Sequence, residues 1–115
     1  MILDDIKTKL EIIDSRVYYG MVDEEVNETV WDYIVFNRVT SRVDANRTGF
    51  SDYYDVHIVR ENFVPEGTDN NIIDVMLEIP GMRLADSECR YDYVPKPKTN
   101  IIVEMLTLRF VRARK

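Results

Sequence analysis

The single histidine of this chain, His57, stands two residues from a carboxylate, Asp55, in the stretch SDYYDVHIV, residues 51–59. A histidine beside a carboxylate is the start of an acid/base pair, in which the carboxylate orients the ring and the ring moves a proton. Read as a strand, the stretch alternates its side chains between two faces, with Tyr54, Val56 and Ile58 on one and Tyr53, Asp55, His57 and Val59 on the other. Asp55 and His57 then sit about 6 to 7 Å apart along the strand and point in parallel, so direct contact requires both to lean. The pair also needs a nucleophile. Ser51, Ser87, Thr40 and Cys89 are the candidates, and none lies in a sharp strand-to-helix turn of the G-x-S-x-G kind.

Other residue types capable of chemistry are sparse. One cysteine and one histidine make no soft-ligand set for zinc and no internal disulfide. Cys89 shares a strand-like alternation with Ala85, Tyr91 and Tyr93 and reads as core filler. Asp23, Glu24, Glu25 and Glu28 lack the glycine and the alternate ligand spacing of a calcium loop, so they read as a solvated acidic loop. The four glycines, at 20, 49, 67 and 81, build no phosphate-binding loop. No cofactor is expected.

The elements that would position these residues follow from periodicity. Leu3, Ile6, Leu10 and Ile13 recur at three- and four-residue steps and predict an amphipathic helix over residues 2–14, with Asp4 and Asp5 at its positive end. RVYYG reads as a short strand stopped at Gly20. WDYIVFNRVT, residues 31–40, is a strand apolar on both faces, Trp31, Tyr33, Val35 and Val39 against Ile34 and Phe36, and belongs inside a sheet or under a partner. The polar loop SRVDANRTGF joins it to the 51–62 strand as a hairpin. A second helix begins at a Thr68 or Asp69 cap, buries Ile72, Val75, Met76 and Ile79, and ends at Pro80-Gly81. Strands over 82–93 and 100–112, joined by PKPKTN, complete the chain.

This order predicts a single α+β domain over residues 1–115: a mostly antiparallel sheet of four to five strands with two helices packed on one face. Its 45% hydrophobic and 31% charged residues are those of a folded domain. Apolar runs are too short to span a bilayer, and the acidic start MILDDIKTKLEIID is unlike a secretory signal, which points to the cytosol and away from membranes. A net charge of −6 argues against general nucleic-acid binding. That charge is polarised: residues 1–81 carry 7 Lys/Arg against 17 Asp/Glu, and residues 82–115 carry 8 against 4. Such polarity suits solvated acidic loops with a frayed basic tail, or else head-to-tail contact between copies.

The sheet face away from the helices needs an occupant. Seven tyrosines, several paired as Tyr18-Tyr19, Tyr53-Tyr54 and Tyr91/Tyr93, exceed what one core absorbs, and tyrosine, tryptophan and arginine are interface residues. The candidate contact set is Trp31, Tyr33, Arg42, Arg47, Tyr53, Asp55, His57 and Val59. Leading helix, VYYG, the hydrophobic strand YIVFNRV, polar loop and SDYYDVHIV together resemble the small tail-terminator (tail-completion) proteins of long-tailed bacteriophages. The resemblance spans residues 1–112. It implies an α+β fold without catalytic residues and a homo-oligomeric ring, usually a hexamer, that caps the tail tube and meets the head connector. The partners would be further copies, tail-tube protein and connector proteins, and the location the virion, with the host cytoplasm during assembly. The hairpin of residues 31–62 would then join subunits. Charge suggests the acidic loop 21–29 and the arginine loop 41–49 for complementary contact. Two other roles fit the same features: a head-completion or connector-adaptor protein of the phage neck, and a small monomeric cytosolic binding or regulatory domain.

Overall fold

The computed structural model describes residues 2–21, 31–43, 49–86 and 88–114. In chain order the elements are α1 (Ile2–Leu10), β1 (Val17–Tyr19), β2 (Tyr33–Val43), β3 (Phe50–Glu61), α2 (Thr68–Met76), β4 (Met82–Leu84), β5 (Arg90–Pro95) and β6 (Ile102–Arg114). The fold is α+β. Six strands form one sheet in the order β1-β2-β3-β6-β4, with β5 also on β6. Every pairing is antiparallel except β1 with β2, which is parallel.

Both helices lie on one face. Ile6 and Leu10 of α1 and Ile72, Val75 and Met76 of α2 bury against Ile34, Phe36, Tyr54, Val56, Ile58, Leu106, Leu108 and Phe110. These sheet residues alternate along β2, β3 and β6, as side chains on one face of a pleated sheet must. β6 is the longest strand and the most apolar stretch, and it pairs with β3 along one edge and with β4 and β5 along the other. The sheet is built around it. The molecule measures 52 × 28 × 24 Å.

Five details depart from the sequence expectation. α1 stops at Leu10, because the amides of Ile13 and Asp14 both bond back to the Leu10 carbonyl in a tight turn; Ile13 still packs on the core. β1 runs parallel to β2 where neighbouring strands were expected antiparallel. The thirteen positions between Tyr19 and Tyr33 are long enough to bring the chain back to the same end of the sheet. α2 is capped by neither Thr68 nor Asp69. Gly67, at φ +90°, occupies the cap position, its carbonyl accepts the Asn71 amide, and the Thr68 hydroxyl donates to the Pro65 carbonyl at 2.7 Å.

The single strand expected over 82–93 is two strands. Leu84 faces Phe110 and Arg90 faces Thr107, so six steps of chain oppose three on β6. The excess leaves the ladder after Ala85, whose amide still bonds to the Arg109 carbonyl, and Cys89 turns against the core. Among the described residues the sheet therefore has six strands, one more than the upper end of the expected four to five. Finally, a register shift between Arg38 and Thr40 takes Val39 out of the alternation expected for residues 31–40. Of the proposed loops, most of 21–29 and residues 44–48, Arg47 included, lie outside the described residues, while Ser41–Val43 continue β2.

Candidate functional site

Side chains on the helix-free face follow from register. Along β2 they are Tyr33, Val35 and Asn37, then Thr40 and Arg42 beyond the shift. β3 contributes Ser51, Tyr53, Asp55, His57 and Val59, β6 contributes Val103, Met105, Thr107, Arg109 and Val111, and β5 contributes Arg90, Asp92 and Val94. Asp55 and His57 do share this face. They are not used on each other.

Asp55 sits directly opposite Arg109 and binds it bidentately, Nε donating to Oδ1 at 2.8 Å and Nη2 to Oδ2 at 3.1 Å. This fork-on-carboxylate geometry is the strongest form of side-chain ion pair, and it holds the Arg109 guanidinium further into its charged range. His57 has both ring nitrogens engaged: Nδ1 lies 2.8 Å from the Thr107 hydroxyl and Nε2 lies 3.2 Å from the amide oxygen of Asn37. An amide oxygen only accepts, so Nε2 carries a hydrogen. The Thr107 hydroxyl then donates to Nδ1 of a neutral ring. Burial pushes the His57 pKa below its ordinary 6.5, the Asp55 carboxylate offsetting part of that effect. Beside them an open polar hollow of about 300 Å³ is lined by Asp55, Asp86, Glu88, Arg90, Thr107 and Arg109.

The other half of this face is apolar. Tyr33, Val35, Val59 and Val103 form a second cluster, with Tyr18, Trp31 and Met105 packed against it and partly exposed. The Tyr18 and Tyr33 rings meet edge to face at 6.0 Å, and the Arg16 guanidinium stands 5.9 Å from the Tyr33 ring. Burial raises the Tyr33 hydroxyl pKa, with Arg16 opposing. Toward the far end of the hairpin the Arg42 guanidinium stacks on Tyr53 at 5.0 Å.

Six of the eight candidate contact residues thus gather on this face, Tyr33, Arg42, Tyr53, Asp55, His57 and Val59, with Trp31 packed at its edge and Arg47 outside the described residues. Their availability differs. Tyr33, Asp55 and Val59 are 6%, 8% and 7% exposed, so their surface is already consumed within the chain. Trp31, Tyr53 and His57 are half-buried and Arg42 is exposed.

Sequence reasoning missed Asn37, Thr107, Arg90 and Arg109, which turn an apparent dyad into a cross-strand network. The signal was present only as pairing register, which a lone strand pattern does not contain. On β5, Tyr91 and Tyr93, already part of the tyrosine surplus, and Val94, which sequence reasoning passed over, all remain open to solvent. Cys89 is half-buried, and burial raises its thiol pKa, which disfavours the reactive thiolate. Among the described residues no group of three or more His, Cys, Asp or Glu side chains is placed to hold a metal ion. No helix among them is long and apolar enough to cross a membrane. No protein-family model matches this chain, and no curated protein matches it either.

Proposed function

We propose that this protein is a structural assembly subunit that works through its surfaces, and specifically a ring-forming tail terminator that caps the tail tube of a long-tailed phage and joins it to the head connector. One observation carries the assembly reading. The helix-free face of a well-packed subunit keeps Trp31, Tyr18, Met105 and, on its β5 edge, Val94 partly or largely exposed, while the polar groups among them are tied to one another across strands. Aromatic and apolar groups left open around satisfied polar pairs are the composition of an interface that excludes water without stranding charges. The order of elements and the phrases VYYG, YIVFNRV and SDYYDVHIV supply the narrower role through their resemblance to tail terminators.

The test is the mass of the purified chain by sedimentation, followed by imaging. A ring, alone or on addition of phage tail-tube protein, supports the reading. A strictly monomeric chain at every concentration and with tube protein present would overturn it. Binding to tube ends rather than to empty capsids separates a terminator from a head-completion protein.

A further inference from the structure

Among the described residues the sheet has two open backbone edges at opposite sides. β1 pairs only with Ile34–Phe36, so the remainder of β2, Asn37–Val43, has β3 as its sole strand neighbour among the described residues. Across the sheet, β5 pairs with β6 alone among the described residues. The alternation of an antiparallel ladder tells which groups these edges offer. The Ile34 amide and the Phe36 carbonyl point toward β1, so Arg38 faces the same way, and beyond the register shift Ser41 and Val43 do. On β5 the Lys96 amide bonds inward to the Ile101 carbonyl, which leaves the peptide groups of Tyr91 and Tyr93 and the Pro95 carbonyl facing outward.

Both edges also expose apolar side chains, Val39 and Val43 on β2 and Tyr91, Tyr93 and Val94 on β5. The arginines that would guard the β2 edge are occupied within the chain, Arg38 donating to the Tyr19 hydroxyl at 3.0 Å and Arg42 lying over Tyr53. A long edge with unpaired peptide groups and apolar flanks is a template for another strand.

Resting on the assembly reading above, we propose that a second copy of this chain is that strand's source: Asn37–Val43 of one copy pairs antiparallel with Arg90–Pro95 of the next. Direction supports this pairing. β2 and β6 run the same way and β5 runs against both, so a copy that continues the sheet sets its β2 antiparallel to β5. Charge supports unlike edges meeting. The β2 edge, Asn37–Val43, carries Arg38 and Arg42 and no acid, whereas the β5 edge, Arg90–Pro95, balances Arg90 with Asp92. Two β2 edges would repel each other, whereas a β2 edge meets no net like charge on β5. A join between unlike edges leaves one of each free on every assembly, so it repeats until a ring closes.

Proline substitutions test the pairing, because they delete outward amides and spare the inward ladder. Wild-type chain should sediment as an oligomer. Tyr93→Pro and Ser41→Pro should each sediment as monomers with unchanged far-ultraviolet circular dichroism. Mixed one to one, they should form a species of two copies and nothing larger, since each retains the edge the other lacks. Hydrogen exchange on the wild type gives a second readout that needs no variant: the amides of Tyr93 and Ser41 should exchange more slowly in the oligomer than in diluted monomer. An oligomer indifferent to both substitutions, or one whose Tyr93 and Ser41 amides exchange as fast as in the monomer, overturns the edge pairing and leaves the assembly reading standing. A wild-type monomer at every concentration, with and without tube protein, overturns both.

Discussion

Asp55 and Arg109 show how much a single cross-strand pair contributes on a half-open face. The carboxylate is nearly buried while the guanidinium side chain keeps 39% of its exposure, so solvent screens the pair from one side only. Replacing Asp55 by Asn keeps the shape and removes the charge, and should lower the unfolding free energy by about 1 to 2 kcal/mol in urea titrations. Arg109→Ala should cost more, about 3 kcal/mol, because it strands the carboxylate. His57 acts through pH. Its folded pKa lies below the ordinary 6.5, so the unfolded chain binds the proton more readily. The stabilisation from its neutral, hydrogen-bonded ring is therefore complete above about pH 6.5 and declines as pH falls from there toward the lowered folded value. In chemical melts between pH 7.5 and 5, His57→Gln should flatten this part of the stability curve. An unchanged slope would mean the ring is not held neutral by the fold.

At the scale of elements, the helix α2 begins on Gly67 because only a residue without a Cβ adopts φ +90° at little cost. No atom lies within 4 Å of where a Cβ would stand, so Gly67→Ala should cost only the backbone term, about 1 kcal/mol, read as a lowered melting temperature. Leu106 is fully buried at the centre of β6, and Leu106→Ala should cost about 2 to 5 kcal/mol by the cavity it leaves. These elements were legible in unequal measure. Apolar periodicity located both helices, the β2–β3 hairpin and the core set Tyr54, Val56 and Ile58, because burial of one face imposes the period directly. The parallel course of β1 and the division of residues 82–93 were not legible. Both depend on which distant strand supplies the hydrogen bonds, and no local pattern in VYYG or in RLADSECRY records that. The network around His57 was half legible for the same reason: its own face was readable, whereas Thr107, fifty residues away, enters only through register.

For the whole molecule, the division of the open face into a consumed part and an available part decides which substitutions report on assembly. Val59 belongs to the second apolar cluster, so Val59→Lys should destabilise the subunit itself by about 2 kcal/mol or more, visible as a lower urea midpoint in dilute monomer. Tyr53 is half-buried under Arg42, and Tyr53→Lys should leave the monomer melt within about 0.5 kcal/mol of wild type while lowering the oligomer's order in sedimentation. Equal loss of monomer stability in both variants would mean that Tyr53 belongs to the subunit's core. A different consequence follows from the place of β6. Residues 102–114 sit between β3 and the β4–β5 edge, yet the ribosome makes them after every strand they join. Until then β3, twelve residues long, has a bare second edge, and the side chains of α1 and α2 lack the floor on which Leu106, Leu108 and Phe110 complete the core. Folding during synthesis is thus confined to a late step, of the slow kind expected when distant strands must close first. Nascent chains arrested before residue 102 should be the form that proteases and chaperones recognise.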